Sequence, residues 1–230
     1  MSRAVILLSG GLDSCTALAL AANEHQNLYA VSFRYGQRHS LELAKARDIA
    51  DHYGVDQHVI LDVPLFSGES VLMDESADMP EMTYEEIEKS EGVSPTYVPF
   101  RNGTFLSLAA SLALDRGCSM IYAGMHGEDA RGWAYPDCTP EFVGAMQNAI
   151  YVGTYYKVRL VVPFQYMLKK EIVAVGLALR APYDLTLSCY KGQEPACGKC
   201  STCVGRLEAF RANGANDPIP YAVDVQGRLL

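Results

Sequence analysis

The chain has 230 residues, of which 49% are hydrophobic and 20% are charged, and its formal net charge is −8. This composition predicts a folded globular protein and excludes the basic stripe that is typical of direct nucleic-acid binding. The apolar run that follows Met1-Ser2-Arg3 has only five residues, which is too short for a signal sequence or a membrane span. We therefore expect a cytoplasmic protein that does not enter a membrane.

Strand and helix patterns alternate along the chain. Short apolar runs predict strands at residues 4–8, 28–33, 58–63, 119–125 and 158–164. Periodicity and capping residues predict helices at residues 15–22, 41–53, 104–114, 140–152 and 169–180. The alternation predicts an α/β fold of the Rossmann type, a mainly parallel five-stranded sheet with helices on both faces. Ligands bind beyond the carboxyl ends of such strands, so the loops after the first, second, fourth and fifth strands are expected to converge.

A serine- and glycine-rich turn joins the first strand to the first helix. The free N–H groups and positive dipole end of a helix attract anions, and Gly10 and Gly11 allow an oxyanion to approach the backbone. Ser9 and Ser14 add hydroxyl donors, while Asp13 can cap the helix or hold a metal ion bound to phosphate. The spacing differs from the two commoner phosphate-loop motifs. We interpret the turn as a phosphate site in preference to a plain glycine turn.

The negative charge of the chain belongs to one segment. Residues 67–95 contain nine acidic residues and one lysine, which gives −9 + 1 = −8 and leaves a net charge of zero for the rest. A solvated loop is the favoured interpretation of this acidic insertion, with a substrate lid as the alternative.

Four of the seven cysteines lie within fifteen residues near the C-terminus, at Cys189, Cys197, Cys200 and Cys203. Close C-x-x-C spacing is typical of a tetrahedral zinc site, and an iron–sulfur cluster is the competing interpretation. Four ligands leave no open position, which predicts a structural metal. We expect an α/β domain at residues 1–185 and a small metal-binding region at residues 186–230.

Several sequence blocks carry a family resemblance. The phosphate turn resembles the loop of the N-type ATP pyrophosphatases, also called PP-loop proteins of the HUP class. The whole chain resembles the 7-cyano-7-deazaguanine synthase family in six blocks that occur in a shared order. The blocks are SGGLDS at 9–14, SFRYGQRH at 32–39, VPFRN at 98–102, YPDC at 135–138, KKE at 169–171 and SCY at 188–190.

The resemblance implies a specific activity. Similar enzymes use ATP to activate 7-carboxy-7-deazaguanine and convert it with ammonia into 7-cyano-7-deazaguanine, a precursor of queuosine. It further implies ATP and Mg2+ as cofactors, one structural Zn2+ per chain, and a homodimer.

The resemblance also implies a set of site residues. Cations aimed at developing phosphate charge usually contribute most to such chemistry, and Arg38, Arg101 and Lys169 each adjoin a matched block. With Asp13 and Ser14 they make up the predicted catalytic set. The residues expected to bind the nucleotide are Leu8, Ser9, Gly10, Gly11, Leu12, Asp13, Ser14, Phe33, Tyr35, Asn102 and Gly124. The residues expected to bind the deazaguanine substrate are Gln37, His39, Glu128, Asp129, Tyr135 and Asp137.

Simpler roles remain open for several of these residues. Each cation taken alone also fits a surface ion pair, and His39 fits a helix cap as well as a base. Phe33 and Tyr35 also fit an aromatic core at the end of a strand. Acidic residues in a polar loop such as 126–137 are ordinarily solvated.

Two features depart from the family pattern. Thr139 stands where the pattern has arginine, and the loop at 124–135, which contains the only tryptophan, Trp133, is about two residues longer. Arg131 is a candidate to replace the missing guanidinium. The alternative function is therefore a relative that activates the same acid but stops at the amide or joins it to another amine, including a protein amine. A tRNA-thiolating enzyme and a non-enzymatic zinc module fit the motifs less well.

Overall fold

Five parallel strands form the centre of the fold. The computed structural model describes residues 2–37, 41–66, 70–73 and 92–223. The strands are β1 (Arg3–Leu7), β2 (Asn27–Arg34), β3 (Gln57–Asp62), β4 (Met120–Tyr122) and β5 (Arg159–Val161). They lie in the order β3-β2-β1-β4-β5, and all neighbouring strands are parallel. The predicted sheet is confirmed, although β4 and β5 each have three residues, fewer than the sequence predicts.

Six α-helices occur within the described residues. They are α1 (Leu12–Glu24), α2 (Leu41–Tyr53), α3 (Arg101–Asp115), α4 (Pro140–Gly153), α5 (Lys169–Ala178) and α6 (Ser201–Ala212). The sequence predicts the first five, including the end of α2 at Gly54, which has the left-handed φ of +59°. It does not predict α6, because the cysteine spacing at the start of that helix indicates a metal-binding loop. Cys200 is the N-cap of α6, and Cys203 lies in its first turn.

The sheet is covered on both faces. Side chains alternate along β1, so Val5 packs into one apolar core with Phe105 of α3 and Ile150 of α4. Its neighbour Ile6 packs into the opposite core with residues of α1 and α2, including Leu18. Helices therefore lie on both faces of the sheet, as the alternation of elements predicts.

The strand order determines where a ligand can bind. The chain passes from β1 to β2 on one side of the sheet, and β4 later pairs with β1 on the other side. A crevice opens at such a switch point, outside the carboxyl ends of the strands. The loops after β1, β2 and β4 begin at this edge.

The C-terminal region packs against the α/β layers. Arg206 of α6 is only 1% exposed, and its guanidinium donates to Asp217 at 2.6 and 2.8 Å and to Thr186 at 2.6 Å. Phe210 of the same helix packs edge-on against Tyr183. The boundary between residues 185 and 186 stays a prediction.

Most of the acidic insertion at 67–95 lies outside the described residues, which include only 70–73 and 92–95 of it. Its expected role as a solvated loop therefore stays a prediction. In the described part of the chain, no helix combines the length and the apolar character needed to cross a membrane.

Candidate functional site

A cavity of about 290 Å³ lies at the carboxyl ends of β1, β2 and β4. It brings together residues from all six of the sequence blocks that carry the family resemblance. Fourteen predicted site residues line it: Leu8, Ser9, Gly11, Asp13, Ser14, Phe33, Tyr35, Gln37, Arg101, Asn102, Gly124, Asp129, Tyr135 and Lys169. The side-chain types divide the wall into a phosphate-loop part, an aromatic part and an amide–thiol part.

The other predicted site residues do not appear in this lining. Gly10 lies in the turn and Leu12 is the first residue of α1, and both are buried. Glu128 accepts a hydrogen bond from the backbone N–H of Lys169 at 2.7 Å through Oε2. Arg38 and His39 lie outside the described residues. Asp137 is described with its partner Asn102 below, and the four cysteines predicted to bind a metal are described after it.

The phosphate loop is closed by its own hydroxyl groups. Ser14 Oγ donates to the carbonyl of Gly11 at 3.0 Å and accepts from the N–H of Ser9 at 3.2 Å. Gly10 has a φ of +87°, and a Cβ there would lie 2.3 Å from the backbone oxygen of Glu42. A Cβ on Gly124 would lie 2.9 Å from the backbone of Asp13. These two glycines allow three backbone segments to meet beneath the cavity.

The N-terminus of α1 points into the cavity. Gly11 is its N-cap, so Asp13 lies in the first turn and is not the capping residue. The N–H of Leu12 is 3.4 Å from Ser188 Oγ, which brings the C-terminal region to the loop. Free N–H groups and the helix dipole make this end of the helix attractive to an anion.

Asp13 forms a buried cluster with two other polar side chains. Lys169 Nζ donates to Asp13 Oδ2 at 2.6 Å and to His126 Nε2 at 3.0 Å. Burial alone would raise the pKa of Asp13, but the positive charge of Lys169, which also donates a hydrogen bond to it, holds that pKa below its usual value. Asp13 is therefore an anion at neutral pH. Its Oδ1 is buried and has no hydrogen-bond partner among the described residues.

Aromatic rings form the second part of the wall. The Phe33 and Phe105 rings stack with their centroids 3.9 Å apart, and Tyr35 packs edge-on against Phe105. Arg101 donates to the Tyr35 hydroxyl at 3.0 Å, and its guanidinium carbon lies 5.5 Å from the centre of that ring. A cation is thereby fixed at the edge of an apolar wall.

The third part of the wall is tied to the N-terminus of α3. Asp137 Oδ2 accepts from the backbone N–H of Asn102 at 2.9 Å, so this carboxylate caps the first turn of the helix. The Asn102 amide donates to Cys138 Sγ at 3.2 Å. The hydroxyl of Tyr135 is hydrogen-bonded to Thr96 and, at 3.3 Å, to Ser94.

The four C-terminal cysteines form a compact buried group. The Sγ atoms of Cys189, Cys197, Cys200 and Cys203 all lie within 4.8 Å of one another. Thiol donors from Cys189, Cys200 and Cys203 lower the pKa of Cys197, which favours its thiolate. Four buried sulfur atoms at this separation are suited to a metal ion. Thr202, between Cys200 and Cys203, lines the cavity.

Comparison with known proteins identifies the family. The model described as Queuosine biosynthesis protein QueC matches residues 3–214. A 7-cyano-7-deazaguanine synthase of Acidobacterium capsulatum is 46% identical over 224 residues, which cover 96% of each chain. Another from Thermoplasma volcanium is 44% identical over 225 residues, which cover 96% of this chain and 91% of the relative. This chain belongs to the QueC family.

Membership of the QueC family does not depend on structural likeness. The solved structure of an NMN synthetase from Francisella tularensis aligns with 94% of this chain and 78% of its own, with 12% identity and a TM-score of 0.49.

The departures from the QueC pattern lie beside the cavity. Thr139 is the N-cap of α4: its hydroxyl donates to the Pro136 carbonyl at 2.9 Å and accepts from the Phe142 N–H at 3.3 Å. It is not among the cavity-lining residues. Trp133 is 63% exposed, and Arg131 is also exposed. The threonine thus has a local structural role of its own.

Several cavity residues are missed by sequence reasoning, and Glu42, His126 and Tyr190 are among the titratable ones with a side chain that could act on a ligand. Partial burial raises the pKa of Glu42 to about 7, against the opposing charge of Arg101. His126 immediately follows a predicted strand, where a polar residue marks the ligand edge of a parallel sheet, and this signal could have found it. Tyr190 lies in the matched block at 188–190, which could have found it, whereas no comparable signal distinguishes Glu42.

Proposed function

We propose that this chain is an ATP-dependent ligase that converts 7-carboxy-7-deazaguanine and ammonia into 7-cyano-7-deazaguanine. The observation that carries the proposal is one cavity in which an anion-binding helix N-terminus, two cationic side chains and an aromatic wall converge. The names of the QueC relatives support this choice of substrate and product.

The chemistry requires two activations. A carboxylate is a poor electrophile, so its oxygen first attacks the α-phosphate of ATP, which releases pyrophosphate and leaves an acyl adenylate. Ammonia attacks the acyl carbon, AMP leaves, and an amide forms. A second ATP activates the amide oxygen in the same way, and loss of AMP together with the nitrogen protons gives the nitrile. Each activation builds negative charge beside the substrate oxygen, and cations fixed in advance stabilise it.

The described residues divide these tasks. The α1 N-terminus, with Ser9 and Ser14, is proposed to hold the phosphates, and Lys169 to meet the charge that develops on them. Arg101 lies across the cavity on the aromatic wall, where it is placed to neutralise the substrate carboxylate or the departing AMP. Arg38 is a further proposed cation, adjacent to the described residues.

The adenine ring of ATP and the deazaguanine ring of the substrate each need a flat apolar surface to pack against and polar groups at their edges. Phe33 and Tyr35, the latter hydrogen-bonded through its N–H to Gln37 Oε1 at 2.8 Å, are proposed to contact the purine rings. Asn102 and Gly124 are proposed to border the nucleotide. Asp129 and Tyr135 line the same cavity and are proposed to meet the hydrogen-bonding edge of the deazaguanine.

Three further residues are proposed to support or contact the substrate. His39 remains a proposal from the sequence alone, since it lies outside the described residues. Glu128 and Asp137 are proposed to support the site from behind, because each is hydrogen-bonded to a backbone N–H at the start of a cavity helix.

Magnesium fits the phosphate end of the cavity. Mg2+ prefers carboxylate oxygens and phosphate, and the buried Asp13 Oδ1 has no hydrogen-bond partner among the described residues. Asp13 is therefore the proposed protein ligand, and a bound Mg2+ would neutralise part of the phosphate charge. Asp13 holds Lys169 through its other oxygen, so one carboxylate serves both cations.

Zinc is the proposed metal of the cysteine group. Tetrahedral sulfur sites favour Zn2+, and four protein ligands exclude substrate from the metal. The group then fastens the 186–223 segment, whose Ser188 and Thr202 border the cavity. Reduced, metal-binding thiols and the use of ATP fit the cytoplasm, which we propose as the location.

A homodimer is the proposed assembly. Tyr155 and Tyr156 follow α4 and are 83% and 64% exposed, and Val152 beside them is 52% exposed. Exposed aromatic clusters of this kind favour contact with another protein surface. Light scattering coupled to size-exclusion chromatography would give twice the chain mass for a dimer and the chain mass if the proposal is wrong.

Product analysis tests the function. The purified protein is incubated with the carboxylate, ATP, Mg2+ and ammonium, and the products are separated by chromatography and weighed by mass spectrometry. We expect the nitrile, AMP and pyrophosphate. Formation of ADP without AMP, or ATP cleavage that does not depend on the acid, would contradict the proposal.

A further inference from the structure

A buried histidine lies between charged side chains in the cavity wall. His126 is 2% exposed. Its Nε2 is 3.0 Å from Lys169 Nζ, 3.4 Å from Asp129 Oδ2 and 3.9 Å from Asp13 Oδ2. The chemistry proposed above gives this ring no part.

The nearest contact fixes the direction of the hydrogen bond. A lysine ammonium has three donors and no acceptor, so His126 Nε2 accepts from Lys169 and the ring proton lies on Nδ1. The Nδ1 atom is buried and has no partner in the part of the chain that the structure describes. Leaving a buried donor unpaired is destabilising, so the ring is not held in this orientation by any contact of its Nδ1 atom. The contact with Lys169 holds it there.

The ammonium of Lys169 is thus held from two sides. One N–H points to Asp13 in α1 and a second to His126 in the loop after β4, which leaves one donor for a ligand in the cavity that Lys169 lines. We propose that His126 is a positioning residue that fixes the Lys169 ammonium against Asp13, so that its remaining donor meets the phosphate group of the reacting nucleotide. The inference rests on the proposed function, because it takes that phosphate to be the partner.

The Lys169 ammonium needs both acceptors, Asp13 and His126, to be held in one orientation. The four-carbon stem of lysine is flexible and its ammonium rotates freely, so one ion pair with Asp13 leaves the third donor undirected. A displacement of about 1 Å at a reacting centre costs on the order of a hundredfold in rate. Loss of His126 should therefore lower kcat for adenylation more than it weakens nucleotide binding.

Two amide substitutions test the position of the acceptor. The side-chain oxygen of glutamine reaches the place of Nε2, whereas that of asparagine reaches the place of Nδ1. We expect His126→Gln to keep kcat for AMP formation within about threefold of the wild type, and His126→Asn and His126→Ala to lose about ten- to a hundredfold. The dissociation constant of a non-hydrolysable ATP analogue should change by less than about threefold in all three variants.

His58 supplies the matched control. Its Nε2 makes a similar hydrogen bond, 2.7 Å to Ser32 Oγ, but the residue is not part of the cavity lining. His58→Gln and His58→Asn should give equal adenylation rates. Thermal melting of every variant establishes that it is folded, and if His126→Asn does not fold, the comparison of Gln with Ala decides.

A second measurement needs no turnover. An amine-reactive sulfonate reagent followed by peptide mass spectrometry reports how firmly the Lys169 ammonium is held. Labelling should be slow in the wild type and His126→Gln, and about tenfold faster in His126→Asn and His126→Ala. A wild type that makes no adenylate would refute the proposed function while the labelling still tests His126. Equal rates for Gln and Asn, or labelling that is the same in all variants, would overturn the positioning role.

Discussion

The side-chain nitrogen of Lys169 lies 2.6 Å from Oδ2 of Asp13, a residue 156 positions earlier in the chain. Asp13 is in the first turn of α1 and Lys169 begins α5, so the contact joins two helix N-termini at one edge of the sheet. The side chain of Lys169 is 11% exposed and that of Asp13 is 24% exposed. At such burial, loss of either partner leaves the other charge poorly compensated.

The first prediction removes the charge of Asp13 but keeps its shape. Asp13→Asn should lower acid-dependent AMP release by about a hundredfold or more, because both Lys169 and the proposed Mg2+ lose their anionic partner. Asp62→Asn is the control, since that carboxylate pairs with Arg34 at the exposed surface and should not affect activity. Near-normal turnover in a folded Asp13→Asn protein would show that the carboxylate is not part of the phosphate site.

The second prediction separates Arg101 from its partner. Arg101→Met should reduce AMP formation by about tenfold to a hundredfold, because the cation on the aromatic wall is lost. Tyr35→Phe removes the hydroxyl that accepts from Arg101 but keeps the ring, so its loss should be no more than about fivefold. Steady-state kinetics on both folded variants make the comparison. Equal losses would mean that Arg101 acts only through Tyr35.

The third prediction concerns the metal. Cys200→Ser should lower both the melting temperature and the zinc content, because metal binding is coupled to folding in sites of this type. Cys118→Ser is the matched control: this buried cysteine lies outside the cluster and its loss should leave one zinc per chain. Elemental analysis and thermal melting provide the readings. Visible iron–sulfur absorption in anaerobically purified protein, or a fully stable zinc-free Cys200→Ser variant, would contradict structural zinc.

The fourth prediction follows from Glu42. Burial raises its pKa from 4.5 to about 7, so between these pH values the folded state binds more protons than the unfolded state. Stability from this group is therefore present below about pH 4.5 and is lost as the pH rises through 7. Glu42→Gln should be more stable than the wild type at pH 8, by on the order of 1 to 3 kcal/mol, and close to it at pH 5. Chemical denaturation at pH 5 and pH 8 measures the difference in unfolding free energy between the variant and the wild type. A difference that is the same at both pH values would rule out a raised pKa for Glu42.

The sequence predicts the sheet and the phosphate end of the site well, for local reasons. A five-residue apolar strand, two glycines and a helix start follow one another in the chain. The geometry of the phosphate loop at Ser9 to Ser14 can therefore be predicted from local sequence alone. Asn102 and Tyr135 are predicted because each lies in a short block that resembles the family, and both line the cavity.

What the sequence could not supply depends on contacts between distant elements. The position of His126 after a strand marks it as a candidate, but its contact with Lys169, forty-three positions later, appears only in the fold, where the ammonium lies 3.0 Å away. Glu42 resembles any acidic residue in a first helical turn until burial is known. The sequence does not predict α6, because the cysteines at its start indicate a metal site, and the burial of Arg206 within it depends on hydrogen bonds to Asp217 and Thr186.

The product of the second activation tests the central claim most directly. A time course with ammonium as the only amine follows the masses of the acid, the amide and the nitrile. We predict ATP-dependent conversion of the acid through a transient amide to the nitrile, with two AMP released for each nitrile formed. Complete consumption of the acid with an amide that accumulates and no nitrile would contradict the account, and a deazaguanine mass on a protein amine would indicate the alternative acceptor.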